Sequence, residues 1–339
     1  MRILAVLPVD DGSDAPKPWA KRQLDSLERL GINVKVYLSR NRRSIKGLIK
    51  GGLAMRASAR AWNADLVHVS YGAAHALIAV LLSGKPVVIS FCGSDVLGNY
   101  DRAGLKTRSG FLSGVLSQLA AFGCRRCIAK SEEIKNALWF SWSRNKCEVI
   151  PNGVDLDAFQ PMPRDEVRRE LGWAQEEPVV LFMDRQGAWV KDPDLAQAAW
   201  VEAKKTIPSL RMHVVESEPP ERMPLFLNAA DMLLVTSRHE GSNNTVKEAL
   251  ACNLPVVTTP CGDVRERLAG VSDCHICGRD ARELGKRVAE VLTRHQRTNG
   301  REHIQELSLD RVAVKIKQCY DKALSKTAWP SFLRVVRWQ

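Results

Sequence analysis

The chain lacks any apolar stretch long enough to cross a membrane. The best candidate, Ala73 to Leu82, is about half the ~20 residues that a spanning helix needs, and it contains a histidine. The start of the chain, MRILAVLPVDDG, is typical of a first β-strand and its turn and not of a signal peptide. We therefore predict a cytoplasmic protein without transmembrane helices, held at most peripherally on the inner face of the membrane.

Cysteines are too few for a disulfide scaffold, and their odd number, nine in 339 residues, indicates free thiols in the absence of a secretory signal. Cys124/Cys127 and Cys274/Cys277 have the C-x-x-C spacing of zinc ligands. The two pairs are far apart, however, and each falls on a predicted strand, where alternate side chains point to opposite faces. No acidic D-x-D element lies directly at the end of a predicted strand either. We therefore predict no metal site and no cofactor.

Apolar, β-branched runs alternate with amphipathic helical segments along the whole chain, and no low-complexity linker interrupts them. This alternation indicates repeated βαβ units, in which a parallel sheet is covered by helices on both faces. A chain of 339 residues is long for a single core. A break at Pro151, Asn152 and Gly153 precedes a second set of strands and helices. The sequence thus predicts two doubly wound α/β domains.

The positive charge is concentrated in the first half of the chain. Residues 1–160 contain 23 Lys and Arg against 13 Asp and Glu, whereas the remainder contains 27 against 25. Residues 40–60 and the tail WPSFLRVVRWQ combine cations with apolar or aromatic side chains, a composition that suits an anionic membrane surface. A solvated helix face and a tail packed on the first domain explain them equally well. Nucleic acid is not expected as a partner, because no reader motif is present.

The densest run of candidate site residues is EGSNNTVKEALAC, from Glu240 to Cys252, directly after the apolar strand DMLLVTS. A Gly/Ser/Asn loop that opens a helix presents main-chain N–H groups and the positive end of the helix dipole, which together bind phosphate. Glu240 precedes the loop and Glu248 lies about one turn into the helix, so both carboxylates can accept hydrogen bonds from the diols of one ligand. Taken alone, the pattern also fits a capped helix with two solvated glutamates.

The spacing E-x7-E, followed by EALACNLPVVTTPCGDVRE, resembles the signature of the retaining GT-B glycosyltransferases of family 4. The resemblance implies that Glu248 binds the ribose of a nucleotide-sugar donor and that Glu240 contacts the transferred sugar. Asn243 stands where many relatives have proline. The resemblance further implies that main-chain N–H groups of the loop meet the phosphates or the sugar, at Gly241, Ser242, Asn243, Asn244 and Thr245.

The resemblance covers residues 1–325 and implies two Rossmann-like domains facing across a cleft. It predicts an acceptor-side domain at 1–155, a nucleotide-sugar domain at 156–308 and a terminal helix at 309–325 that returns to the first domain. Residues 326–339 are left as a basic and aromatic tail. The segment VIPNGVDLDAF resembles the interdomain hinge of the family.

Two cations follow another apolar strand, in VVLFMDRQGAWVKDPDL. Arg185 and Lys191 lie six residues apart on one loop, so they can hold a diphosphate from both sides. The Arg guanidinium would donate to two phosphate oxygens at once, and the Lys ammonium would act as a point charge. In the resembling family, an Arg and a Lys at this spacing bind the donor diphosphate. Without the first motif, two ordinary surface cations would be the simpler interpretation.

Two positions in the first half are candidate ligands of the donor or acceptor. Asp95, in FCGSDV after a strand, resembles a family element that faces the cleft, although Cys92 replaces the polar residue usual there. A buried thiol is the simpler interpretation of Cys92. Gly12, in the first β–α turn, lies where a Rossmann domain binds its ligand, but a G-x-G-x-x-G fingerprint is missing. A plain turn glycine explains Gly12 equally well.

The sequence therefore predicts a retaining, metal-independent glycosyltransferase with a nucleotide-sugar donor and a saccharide or lipid-linked acceptor, acting in cell-surface or exopolysaccharide synthesis. Arg185, Lys191 and Glu240 are the predicted catalytic residues, with the leaving diphosphate as the group that they stabilise. Two alternatives remain open: a catalytically silent protein that binds sugar nucleotides, and a GT-B epimerase, for which no convincing His/Glu pair is found.

Overall fold

The computed structural model describes residues 1–9, 15–40, 44–101, 104–184 and 189–325. The chain divides into two compact units, each with its own parallel β-sheet. Unit 1 comprises Met1–Gly153 and the chain from Leu309 onward, and unit 2 comprises Val154–Ser308. The predicted α/β class with two Rossmann-like domains is thereby confirmed.

Unit 1 alternates strands with helices that cover both faces of its sheet. The sheet has the order β2-β1-β3-β4-β5-β6. Strands β3 and β4 are mainly apolar and are buried along their whole length, as expected of a parallel sheet between two helical layers. The elements are β1 (Arg2–Pro8), α1 (Pro18–Arg29), β2 (Asn33–Ser39), α2 (Ile45–Ala61), β3 (Leu66–Ser70), α3 (Ala73–Leu82), β4 (Val87–Phe91), α4 (Ser94–Leu97), α5 (Arg108–Gly123), β5 (Arg126–Ala129), α6 (Glu132–Asn136), α7 (Ser141–Asn145) and β6 (Cys147–Val149).

Unit 2 repeats the same architecture on a smaller scale. Its sheet has the order β11-β10-β9-β7-β8. Its elements are α8 (Arg164–Leu171), β7 (Val179–Met183), α9 (Pro193–Lys204), β8 (Arg211–Val215), α10 (Met223–Ala229), β9 (Met232–Val235), α11 (Asn244–Ala251), β10 (Val256–Thr258), α12 (Val264–Leu268), β11 (His275–Ile276), α13 (Ala281–Arg294) and α14 (Gly300–Ile304), with short 3-10 turns at Trp189–Lys191, Pro220–Arg222 and Gln305–Leu307.

A single glycine sets the close approach of two helices of unit 2. A Cβ atom on Gly285 in α13 would lie 2.6 Å from the main-chain oxygen of Ala199 and 2.5 Å from Cβ of Glu202, both in α9. Because contacts this short to a rigid helix backbone are not tolerated, α13 can pack on α9 at this distance only with glycine there.

The last helix, α15 (Leu309–Leu324), belongs to unit 1 although it follows unit 2 in sequence. Buried Tyr320 of α15 lies with its hydroxyl 2.6 Å from Nδ1 of His68 in β3, and Nε2 of His68 lies 2.8 Å from the Ser90 hydroxyl in β4. At the start of α15, Asp310 pairs with Arg29 of α1 at 2.8 Å. The helix is therefore fixed to the sheet by a buried polar network as well as by its apolar face.

Both sheets contain a topological switch point, where the chain order reverses between neighbouring strands. In unit 1 it lies between β1 and β3, and in unit 2 between β7 and β9. Ligands of open parallel sheets bind beyond the carboxyl ends of the strands at this point. Residues that follow β1, β3, β7 and β9 are therefore the first to be considered as site residues.

Candidate functional site

The switch point of unit 2 carries an open pocket with about 220 Å³ of space. Its walls come from the ends of β7 and β9, which are paired in register at Phe182 and Leu234. The pocket is lined by Phe182, Met183, Lys191, Leu234, Val235, Thr236, Ser237, Asn243 and Thr245. Three predicted site residues, Lys191, Asn243 and Thr245, thus meet where the topology places a ligand.

An ion pair joins the two predicted loops at this pocket. The Lys191 ammonium lies 2.5 Å from Oε1 of Glu240, and the Ser237 hydroxyl donates to the same oxygen at 3.1 Å. The side chains of Lys191 and Glu240 are 18% and 21% exposed. A partly buried pair of this kind holds a cation in place and neutralises it until another anion competes for it.

The segment that carries Lys191 is held by residues that the sequence analysis did not identify. Thr236 donates its hydroxyl to the main-chain oxygens of Lys191 and Asp192, at 2.8 and 3.0 Å. Asp192 has a left-handed φ of 52° just before the first residue of α9, and its carboxylate pairs with Arg238 at 2.9 Å and with Arg279. The one sequence signal was an aspartate before the proline that opens a helix. Arg238 and Arg279 had no local signal, because they come from distant loops.

The predicted phosphate loop ends in a capped helix. The side chain of Asn243 accepts a hydrogen bond from the Val246 N–H at 3.3 Å, so Asn243 is the N-cap of α11. The N–H groups of the first turn of α11, at Asn244 and Thr245, begin beside the pocket. Glu248 is half-buried within the same helix, and its contact with a ribose stays a prediction.

A buried lysine stabilises this loop through hydrogen bonds. Lys247 is fully buried and donates to the Ser242 hydroxyl at 2.8 Å, and Ser242 donates to Asp263 at 2.8 Å. The neighbouring Gly262 has a φ of +55°, and a Cβ atom there would lie 3.0 Å from the main-chain oxygen of Glu240. The loop after β10 is thus packed tightly against the loop after β9, which explains why a glycine and a short acid are needed at these two positions.

In unit 1, Asp95 shapes the loop in which it lies. The side chain is fully buried and accepts main-chain hydrogen bonds from Gly72 at 2.6 Å, Gly93 at 2.8 Å and Cys92 at 3.0 Å. Burial raises the pKa of Asp95 against the opposing effect of these hydrogen bonds. The structure thus gives Asp95 a role in joining the loops after β3 and β4, and its contact with a ligand stays a prediction.

Cysteine 92 is not a candidate nucleophile in this environment. Burial, reinforced by the neighbouring charge of Asp95, raises the pKa of the Cys92 thiol to about 12. At neutral pH the residue is therefore a thiol and not a thiolate. This agrees with its interpretation as a small apolar side chain.

The geometry predicted for the first cysteine pair was wrong. Cys124 caps the C-terminus of α5 and does not lie on a strand, so its sulfur meets that of Cys127 in β5 at 3.3 Å. Among residues 1–9, 15–40, 44–101, 104–184 and 189–325, no group of three or more His, Cys, Asp or Glu is arranged to hold a metal ion. The expectation of a metal-independent protein stays a prediction.

Two predicted site residues lie outside the described residues, Gly12 in 10–14 and Arg185 in 185–188. The tail at 326–339 does so too. Within the part of the chain that is described, no helix has the length and apolarity needed to span a membrane.

Two family models match successive parts of the chain. Residues 10–158 match the model described as Glycosyltransferase Family 4, and residues 179–294 match the model described as Glycosyl transferases group 1. Together they span most of the chain, with a gap between residues 158 and 179 that includes the first helix of unit 2.

Curated relatives are similar to part of the chain. The D-inositol 3-phosphate glycosyltransferase of Geodermatophilus obscurus is 30% identical over 217 residues, which are 53% of this chain and 48% of that protein. TuaC of Bacillus subtilis, whose name refers to teichuronic acid biosynthesis, is 26% identical over 253 residues, or 68% of this chain and 61% of TuaC. The chain spans about half the length of the curated relatives it matches.

Solved structures are similar over nearly the whole chain. Sucrose-phosphate synthase from Thermosynechococcus elongatus superposes with a TM-score of 0.74 at 16% identity, covering 95% of this chain and 99% of that one. Anabaena HepE, in a complex with UDP and glucose, gives a TM-score of 0.68 at 18% identity, with coverages of 95% and 99%. At such identities the likeness establishes the fold, and it confirms the predicted GT-B class.

Proposed function

Because the chain belongs to the group 1 glycosyltransferases of family 4, we propose that it transfers a sugar from a nucleotide-sugar donor to a saccharide or lipid-linked acceptor. The observation that carries the proposal is the ion pair between Lys191 and Glu240 in the pocket at the switch point of unit 2. The relative named for teichuronic acid biosynthesis supports an acceptor in cell-surface or exopolysaccharide synthesis.

The donor diphosphate binds at the start of α11 in this proposal. Main-chain N–H groups from Gly241 to Thr245 and the positive end of the helix attract its oxygens, and Lys191 adds a full positive charge. The diphosphate thereby competes with Glu240 for Lys191. Once displaced, the Glu240 carboxylate is available to accept hydrogen bonds from the hydroxyl groups of the sugar. Glu248 binds the ribose diol by the same chemistry.

Transfer follows with retention of configuration and without a metal ion. The leaving diphosphate takes the proton of the acceptor hydroxyl on the same face of the sugar, so no enzymic nucleophile is required. The negative charge that develops on the diphosphate is stabilised by Lys191, by Arg185 and by the N-terminus of α11. Stabilisation of this additional charge is the main catalytic contribution of the protein. The additional charge develops in the transition state and is absent from the bound donor, so the interaction favours the transition state.

An anionic membrane surface is the proposed docking partner of helix α2. Ile45, Ile49 and Leu53 lie four residues apart on one face of α2 and are 79%, 46% and 55% exposed. Lys46 and Lys50 lie next to them in the same helix. Exposed apolar side chains flanked by cations are typical of a helix that lies in the headgroup region, and a lipid-linked acceptor would be found there.

The proposal is tested by thermal stabilisation of the purified protein with UDP, GDP, ADP and their sugars. We expect one nucleotide to raise the melting temperature, and Lys191→Ala and Glu248→Ala to abolish the shift. Lys205→Ala is the matched control, because Lys205 is an exposed lysine of unit 2 paired only on the surface with Glu202. Absence of a shift with every nucleotide, together with tight and salt-sensitive binding to nucleic acid, would refute the glycosyltransferase assignment.

Product analysis separates the two remaining alternatives. Incubation of the stabilising donor with acceptor saccharides yields a glycoside and free nucleoside diphosphate if the proposal holds. An isomerised donor as the sole product identifies an epimerase. Donor binding with neither product across the acceptor panel identifies a silent sugar-nucleotide-binding protein.

A further inference from the structure

Lys130 is a buried lysine whose ammonium group has no hydrogen-bond partner among the described residues. It follows β5 directly, its main-chain N–H donates to Phe91 at the end of β4 at 3.2 Å, and the residue is 2% exposed. The side-chain nitrogen is buried and makes no hydrogen bond. A lysine ammonium has three donors, and leaving them without acceptors away from water is unfavourable.

The other buried lysines among the described residues are satisfied. Lys146 donates to the main-chain oxygens of Phe122 at 2.7 Å and Cys124 at 2.6 Å. Lys247 donates to Ser242 at 2.8 Å. The fold therefore provides acceptors for a buried lysine where the role is structural, and Lys130 differs from this pattern.

No anion in the described part of the chain is paired with Lys130. The titratable groups beside it include the Cys92 thiol and the His68 imidazole, and neither of these two is charged at neutral pH. Burial lowers the pKa of Lys130. The buried acid of the same edge, Asp95, already accepts hydrogen bonds from three main-chain N–H groups. Because the described residues supply no such partner, a ligand is the candidate source of the negative charge.

The position of Lys130 is one at which a ligand can arrive. The carboxyl ends of β3, β4 and β5 lie side by side in the sheet. After β3, Tyr71 and Ala73 adopt left-handed φ angles of 73° and 66°, which non-glycine residues adopt only at a cost. Tyr71 is linked to Ser94 after β4 by a hydrogen bond of 2.7 Å between their hydroxyls. Both residues are half-buried, so this edge of the sheet is partly exposed to solvent.

We propose that Lys130 is a ligand for a phosphate group of the substrate, bound at the carboxyl ends of β3, β4 and β5 in unit 1. The ammonium donates to a phosphate oxygen and so obtains the acceptors that the protein does not supply. The inference rests on the proposed function for its choice of substrate. The phosphate has two sources, the diphosphate of the donor or a phosphate of the acceptor.

Two probes and three variants test the assignment. Dissociation constants for inorganic phosphate and for UDP are measured by phosphorus NMR titration with the full chain and with Lys130→Met, Lys130→Arg and Lys130→Gln. Loss of one charge-assisted hydrogen bond corresponds to a weakening of about 10- to 100-fold. Lys130→Arg keeps the charge and is expected to retain most of the binding. If Lys130→Met does not fold, Lys130→Gln supplies the same loss of charge with a polar end group.

The outcomes identify the source of the phosphate. Weakened binding of inorganic phosphate alone assigns Lys130 to the acceptor, and weakened binding of UDP assigns it to the donor. Lys135→Met, on a half-buried lysine five residues further along, is the matched control and is expected to change neither constant. If the folded Lys130→Met or Lys130→Gln protein binds both probes within about twofold of the unchanged chain, or if that chain binds neither, the inference is overturned.

The readouts also separate this inference from the proposed function. Loss of UDP binding in Lys191→Ala but not in Lys130→Met supports the donor site and rejects Lys130 as a donor ligand. A chain that binds inorganic phosphate through Lys130 but no nucleotide would reject the proposed donor and keep the inference. Lys130→Met is further expected to leave the melting temperature unchanged or raise it, because it removes an unsatisfied buried amine.

Discussion

The two partners of the ion pair in the unit 2 pocket are predicted to affect nucleotide binding in opposite directions. The Lys191 ammonium and Glu240 Oε1 are 2.5 Å apart, and both side chains are about four-fifths buried. A diphosphate needs Lys191 and is repelled by Glu240. Lys191→Met should therefore weaken binding of a nucleoside diphosphate, whereas Glu240→Gln should strengthen it.

The magnitudes follow from the chemistry of the pair. A hydrogen bond between charged groups contributes about 1.5–3 kcal/mol, so Lys191→Met should weaken binding by about 10- to 150-fold. Glu240→Gln removes a partly exposed negative charge that competes with the diphosphate for Lys191. Removal of such a partner is worth about 1 kcal/mol, which corresponds to a gain of about fivefold. The same change should lower the rate of sugar transfer, because Glu240 no longer binds the sugar as a carboxylate.

Calorimetric titration with the nucleoside diphosphate chosen by the thermal panel measures the two affinities, and steady-state transfer measures the rates. Ser237→Ala is the matched control, since its hydroxyl donates to the same carboxylate oxygen at 3.1 Å and the substitution leaves both charges in place. We expect less than about a threefold change in affinity for this variant. Weaker diphosphate binding in Glu240→Gln would refute the mechanism, in which the diphosphate displaces Glu240 from Lys191.

Three further predictions concern other parts of the chain. Lys247→Met should lower nucleotide affinity by about tenfold, measured by calorimetry, because it releases Ser242 and so the phosphate loop. Burial lowers the pKa of His68 to about 3, so the unfolded chain binds the extra proton between about pH 6.5 and 3. The free energy of unfolding should therefore decrease as the pH is lowered through that window, by up to about 1.4 kcal/mol per pH unit. The decrease should be less steep in His68→Gln, and urea titrations would measure both slopes. Ile49→Glu in α2 should reduce cosedimentation with vesicles containing phosphatidylserine, whereas Val201→Glu, an exposed apolar residue of unit 2, should not.

The fold class was predictable because it depends on periodicity and local chemistry. Runs of β-branched residues and amphipathic segments specify buried strands and covering helices wherever they occur, so the terminal helix expected at 309–325 is found as α15 (Leu309–Leu324). Ends that depend on tertiary contacts were less accurate. The strand predicted to hold Cys274 and Cys277 is only two residues long, His275 and Ile276, so both cysteines lie outside it.

The candidate site was predictable where its residues are neighbours in sequence. Glu240, the loop to Thr245 and Glu248 form one strand, loop and helix unit whose chemistry is local. Arg238, Arg279 and the buried Lys130 were missed because their roles follow from burial and from pairing across loops, which residue type alone does not reveal. The contact between the Cys124 and Cys127 sulfurs was missed because Cys124 caps α5 before β5 begins, so only Cys127 lies on the strand.

The two units share one topology, so their difference in function must lie in their loops. The order β8-β7-β9-β10-β11 corresponds strand for strand to β2-β1-β3-β4-β5. After the third strand of this order, unit 2 places Glu240 against a lysine, whereas unit 1 places strained Tyr71 beside a loop held by buried Asp95. Equivalent strand ends thus carry an ion pair in unit 2 and a loop held by main-chain hydrogen bonds to buried Asp95 in unit 1. Exchange of a loop between the units should therefore abolish binding and preserve the sheet, since each sheet is stabilised by its own apolar core.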